Sequence, residues 1–155
     1  MSLQITNDQQ LRQALHNLPL EAQRKLGAHF VNSVSHLSRN PVVSQGLQVA
    51  KNPERSTTEL EAAYKSAKKL AIDSYTACGR DADWSAQAEH FVAAAIAACL
   101  LPDTQYSDKE NIAWKAAMQT RMARNCEMII QDKGEVDNEA DRQYTIAMEL
   151  LESGG

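Results

Sequence analysis

From Phe91 to Leu101 the chain runs Phe-Val-Ala-Ala-Ala-Ile-Ala-Ala-Cys-Leu-Leu, with no polar side chain except the weak thiol of Cys99. Alanine dominates this run, and alanine is the strongest helix former and the smallest residue that carries a Cβ. A helix that is apolar all round has to be covered on several sides. Small side chains also let its neighbours come close. The segment from about 84 to 101 is therefore expected to be the buried central helix of an all-α bundle. It is shorter than the ~20 apolar residues that span a bilayer, and it stops at Pro102-Asp103.

The remaining punctuation predicts about seven helices in a single domain over 1–155, with 153–155 as a frayed tail. Thr6-x-x-Gln9 reads as a capping box for a short first helix. Pro19 restarts the chain into a helix over about 20–38, with Ala22, Leu26, Phe30, Val34 and Leu37 on one face. Asn40-Pro41 reads as N-cap and N1 of a third helix that ends before Asn52-Pro53. Ser56-x-x-Glu59 opens a fourth over about 57–78, closed at Gly79. Asp81 or Asp83 caps the Ala-rich fifth. Ser107-x-x-Glu110 opens a sixth over about 108–131, and a last helix covers about 138–152. No run alternates β-branched or aromatic residues with polar ones, so no strand is expected.

Charge is uneven along the chain. The formal net charge is −4, but residues 1–80 hold ten Lys/Arg against six Asp/Glu, whereas 81–155 hold six against fourteen. An acidic second half does not suit a phosphate-backbone binder, so no nucleic-acid partner is expected. It suits a protein partner with a basic surface. The densest acidic stretch supplies the candidate partner-binding residues Asp132, Glu135, Asp137, Glu139 and Asp141. Their spacing does not match a calcium loop. Residues 1–7 lack a basic start followed by an apolar stretch, and the expectation is a cytoplasmic protein without a membrane partner. Cys78, Cys99 and Cys126 are odd in number and far apart, and read as buried small hydrophobes rather than a disulfide framework.

Catalytic motifs are sparse. There is no Gly-x-Ser-x-Gly elbow, phosphate-cradling loop, Glu-x-x-His pair or His-Glu-x-x-His helix. No catalytic residue and no cofactor is assigned. His29 and His36 share a helix face as low-ranking metal candidates, about 10 Å apart at helical rise. His90 opens the apolar run; burial there would disfavour its charged form and leave a base. Arg24-Lys-Leu-Gly-Ala-His29 resembles the Arg-x4–6-His spacing of helical HEPN ribonucleases, which would imply RNA cleavage by that pair. Trp84 and Trp114 read as anchors that clamp helix ends onto the core.

A broader likeness runs from about Val42 to Ile130. It comprises the short helix Val43-Ser-Gln-Gly-Leu-Gln-Val-Ala-Lys51, the helix Leu60-Glu-Ala-Ala-Tyr-Lys-Ser-Ala-Lys-Lys-Leu-Ala71, the block His90-Phe-Val-Ala-Ala-Ala-Ile-Ala-Ala98 and Asn111-Ile-Ala-Trp114-Lys-Ala-Ala117. In that order these resemble the Ala-rich helical immunity-type proteins of bacterial polymorphic toxin systems. The resemblance implies a non-enzymatic protein that neutralises a toxin by binding it. The leading expectation is thus a helical binding protein acting by occlusion through its acidic surface. The alternatives are a metal-binding protein or hydrolase built on His29, His36 or His90, and a small-molecule sensor with a pocket beside the Ala-rich helix.

Overall fold

The computed structural model describes residues 4–77, 83–132 and 138–153. The described residues contain seven α-helices and two 3-10 turns, with no strand among them. The helices are α1 (Asp8–His16), α2 (Leu20–Asn32), α3 (Pro41–Lys51), α4 (Thr57–Ala77), α5 (Trp84–Cys99), α6 (Ile112–Gln131) and α7 (Glu139–Glu152). The 3-10 turns are Ser35–Leu37 and Asp103–Gln105. Among the described residues no helix is long and apolar enough to cross a membrane. The protein is an all-α bundle.

Most helices start where a short polar side chain can accept a backbone N–H that would otherwise be orphaned. The side chains of Asn7, Asn40, Asp83, Asn111 and Asn138 each do so for the helix that follows. Two starts differ from the sequence reading. The first box is shifted by one residue: Asn7 accepts from the Gln10 amide at 2.8 Å, and the Gln10 side chain accepts from the Thr6 amide at 2.7 Å. Residues 107–110 form a turn, with the Glu110 amide donating to the Ser107 carbonyl at 3.0 Å, so α6 begins only at Ile112. Asn111 wins over Ser107 because its side-chain amide also donates to the Leu15 carbonyl at 2.7 Å, a tertiary bond invisible to local pattern.

α2 also stops short of the expected residue 38. The Ser33 and Val34 amides turn back to the Phe30 and Val31 carbonyls, tightening the last turn. The Ser35 hydroxyl donates to the Asn32 carbonyl at 3.0 Å, a local bond that competes with the helical ladder. Gly79, Asp81, Gly134 and most of the expected frayed tail lie outside the described residues.

α5 is the spine. It packs against α2, α3, α4, α6 and the first 3-10 turn. Its side chains Ala88, Val92, Ala93, Ala95, Ile96 and Cys99 are buried. Around them lies one core with Val31, Val34, Val43, Leu47 and Leu60. A second core joins Leu11 and Leu15 of α1 and Leu26 and Phe30 of α2 to Ala113, Ala117 and Ala147. α2 reaches α5 and α6 so closely that a Cβ added at Gly27 would meet Cys99 Sγ at 2.9 Å and Ala116 Cβ at 3.4 Å.

The C-terminus of α5 is held by a buried cation. Arg24, 0% exposed, donates from Nε to the Cys99 carbonyl at 3.0 Å and from Nη2 to the Leu101 carbonyl at 2.8 Å. A guanidinium here satisfies orphaned carbonyls and complements the negative end of the helix dipole. Asp103 and Glu21 supply its counter-charges at 2.9 and 3.2 Å.

The tight α2–α5–α6 crossing yields a direct expectation. Gly27→Leu overpacks it and lowers stability by about 1–3 kcal/mol in urea unfolding; an unchanged midpoint would mean the helices do not meet at Gly27.

Candidate functional site

Each residue singled out in the sequence has a defined setting. Arg24 and His29 share α2 but lie five residues apart, about 140° around the axis. Arg24 is buried in the α5 carbonyl clamp while His29 is half-buried elsewhere. The Arg24 guanidinium is taken up by the end of α5 and by Glu21 and Asp103. Burial lowers the His29 pKa, with help from the charges of Lys51 and Lys25. Cationic neighbours also oppose a metal ion there. Among the described residues no group of three or more His, Cys, Asp or Glu is placed to hold a metal.

His36 belongs to an ionic network that stitches the first 3-10 turn to α6 and α7. Its Nε2 lies 2.5 Å from Glu127, whose other oxygen meets Arg124. Arg124 Nε donates to Glu139 at 2.9 Å and its Nη2 to the Ser33 carbonyl at 2.8 Å. Glu139 also takes Arg142 and, at 2.5 Å, the Ser33 hydroxyl. Burial pushes the Glu127 carboxyl up, but the hydrogen bonds from His36 and Arg124 outweigh this and hold it below the usual value. The geometry clamps three elements together. The Ser33 hydroxyl lies within hydrogen-bond distance of both the Glu139 carboxylate and the Phe30 carbonyl.

Glu139 corrects an expectation. It is 4% exposed with its carboxylate enclosed by two arginines, so it does not present charge to a basic partner. Asp132 and Asp141 are exposed, Asp132 as the left-handed C-cap of α6 (φ 47°) and Asp141 in the first turn of α7. Glu135 and Asp137 lie outside the described residues, as does Cys78. Cys99 and Cys126 are buried, and burial pushes the Cys99 thiol up to about 12.

His90 sits in the seam between α4 and α5. Its Nδ1–H donates to the Ala71 carbonyl at 2.8 Å, and its ring lies between Tyr75 and Phe91, centroids 5.5 and 5.3 Å away. Such a ring is positioned by packing. Trp114 is half-buried, with the Arg12 and Arg121 guanidiniums over its face at 4.9 and 5.7 Å, as an anchor should be. Trp84 differs: it is 37% exposed.

Exposed Trp84 is part of a larger surface that the sequence reading missed. Among the described residues the large exposed hydrophobics are Ile72 and Tyr75 on α4, Trp84 on α5, and Met122, Ile129 and Ile130 on α6. All come from three consecutive helices. α4 and α6 flank α5 and make at most marginal contact with each other. Between them a groove of about 260 Å³ runs over α5. Its floor is Ala94, Ala97, Ala98 and Leu101; its walls include Tyr64, Lys68 and Ala71 on one side and Lys115 and Gln119 on the other. On α4, Tyr64, Lys68, Ala71 and Tyr75 form one stripe at helical spacing; on α6, Lys115, Gln119, Met122 and Ile129 form another. The groove therefore continues towards the exposed Tyr75, Met122 and Ile129. That periodicity was the available signal, masked by the stronger core stripes on the same helices.

A second depression, about 390 Å³, is lined by residues of mixed charge including Arg12, Asp108, Lys109 and Glu110. The polar groups at its floor are engaged internally: Gln23 bonds Leu18, Tyr106 and Ile112, and Asn111 bonds Leu15 and Trp114. No family model, curated protein or solved structure matches the chain.

The His29 environment sets a pH dependence. A histidine whose folded pKa is depressed contributes stability above its unfolded pKa and loses it as pH falls through the folded value. His29→Gln should therefore flatten the loss of stability below the ordinary value of 6.5, followed by denaturation midpoints from neutral to mildly acid pH. Parallel curves for both proteins would contradict the assignment.

Proposed function

We propose that this chain is a non-enzymatic helical binding protein that engages a protein partner through the α4–α5–α6 face. The observation that carries the reading is that the large exposed hydrophobics of the described residues all come from α4, α5 and α6, where helical spacing puts Tyr75, Met122 and Ile129 in line with the groove walls. Monomeric proteins rarely expose contiguous apolar area without an interaction to cover it, and Tyr and Trp are the residues that anchor interfaces. Tyr75 is 69% exposed and Met122 45%. The biological setting we favour is that of a toxin-neutralising immunity-type partner, which acts by covering its target. The acidic edge at Asp132 and Asp141 is a secondary attraction point in this reading.

The histidine-based reading, a metal protein or hydrolase, draws less support. His36 and His90 each have internal partners that position them, and His29 stands among lysines. The sensor reading gains a cavity beside the Ala-rich helix. That cavity is an open groove bordered by further exposed apolar side chains, which suits a macromolecular surface better than an enclosed ligand.

The test is photo-cross-linking in cells of the native source, with a benzophenone amino acid at Met122 and a control probe at the exposed Ser44 of α3. The reading predicts a discrete protein adduct at Met122 that is absent at Ser44. Tyr75→Glu should weaken that adduct roughly tenfold, as for an interface anchor, while leaving the thermal midpoint near its original value, as for a surface change. The same adducts at both positions, or none at Met122, would overturn it.

A further inference from the structure

The occupant of the groove can be specified further, and this inference rests on the binding reading above. We infer that the groove over α5 accepts an amphipathic α-helix of a partner protein, with carboxylates flanking its apolar stripe.

α4, α5 and α6 are consecutive helices packed in antiparallel fashion, as the pairing of Ala71 with His90 and the meeting of Leu101 with Ile112 show. Two neighbours flanking a central helix without closing on each other leave the place of a fourth helix vacant. The floor of that place is alanine, which lets an incoming backbone approach closely, and the walls are longer side chains. The lining of the floor runs from Ala94 to Leu101, and extended along all 16 residues of α5 the floor would measure about 24 Å at 1.5 Å per residue, the length of a four-turn helix. An apolar face at i, i+3, i+4 and i+7 on the occupant would meet Tyr64, Ala98 and Met122.

The charge argument selects the partner. The chain is net negative, yet the two charged side chains that line the groove, Lys68 and Lys115, are both lysines. Lys68 Nζ stands 5.6 Å over the Tyr64 ring, at the wall. The adjoining exposed face of α4 adds Lys65 and Lys69. The acidic neighbours are all exposed: Glu110 on Lys115 at 3.4 Å, Asp73 on Lys69 at 3.7 Å, and Glu61 one turn before Lys65 on the same face of α4; such surface charges compete only weakly with a partner's carboxylate. A second copy docked groove to groove would set these lysines against their own kind. A helix bearing Asp or Glu beside its apolar stripe is the complementary occupant.

The experiment titrates the full chain with three labelled synthetic helices of about 16 residues, matched to the floor length. They share one Leu/Ile stripe and carry Glu, Gln or Lys at the flanking positions. Fluorescence anisotropy should show the Glu-flanked helix binding roughly tenfold more tightly than the Lys-flanked one at low salt, a preference that shrinks as salt rises. The K68E/K115E double variant should reverse the order. Ala98→Trp, which fills the floor, should abolish binding of every peptide while leaving the circular-dichroism melt in place. Equal affinities, a preference for Lys flanks, peptide binding that survives Ala98→Trp, or a concentration-dependent dimer broken by Ala98→Trp would each overturn the inference. Failure of all three peptides alongside a Met122 adduct overturns the acidic helix and leaves the binding reading intact. Peptide binding without any cellular adduct overturns that reading instead.

Discussion

The smallness of the side chains along α5 is the constraint on which the rest of this structure depends. Because Ala88, Ala93 and Ala95 are short, α2, α3, α4 and α6 all reach one helix. Leu and Val side chains from those neighbours then fill the space that alanine leaves. Close packing of this kind tolerates little added volume, and Gly27 and Gly46 mark where it is tightest: a Cβ at Gly46 would meet Ile96 Cγ1 at 2.9 Å. The same shortness has a second consequence. With no bulk of their own, Ala94, Ala97 and Ala98 cannot fill the gap between α4 and α6, so a groove opens there.

Buried arginines hold the helix ends that packing alone leaves loose. Arg24 serves the end of α5, and Arg124 joins the end of α2 to α6 and α7. Arg124 is enclosed by the buried carboxylates of Glu127 and Glu139, and removing one of them would leave a buried charge uncompensated, at a cost of about 3–5 kcal/mol, whereas the carboxylates that meet Arg24, those of Glu21 and Asp103, are themselves exposed. Part of the acidic excess in the second half of the chain is therefore internal. Glu127 and Glu139 are buried against Arg124, while Asp103 pairs with Arg24 from an exposed position. Glu21 plays a similar part between Arg24 and Arg55, and the hydrogen bond from Arg55 holds its carboxyl below the usual range against the opposing effect of burial.

These details mark what was legible in the sequence. Helix class, the Ala-rich spine, and the caps at Asn40, Ser56 and Asp83 depend on neighbours within a few residues, and local pattern carries them. The start of α6 was misplaced because Asn111 is chosen by its bond to Leu15, far away in sequence. Local pattern overextends α2 because hydrophobic spacing continues through Val34 and Leu37 after the helical hydrogen bonds have given way to 3-10 turns. Glu139 read as surface charge because its arginine partner Arg124 lies on another helix. The groove was the least visible feature. α5 is indeed enveloped on most sides, but its stripe from Phe91 through Ala94 and Ala98 is only half-buried, a consequence of where α4 and α6 settle rather than of α5 itself.

The account therefore joins architecture to function through one helix, covered by its neighbours yet open along the groove where the binding face begins. Native-state hydrogen exchange tests its foundation most directly. The account predicts that amides from Val92 to Cys99 exchange only through global unfolding and are the slowest in the chain. Their exchange through a lower-energy opening, while α1 and α7 remain protected, would contradict it.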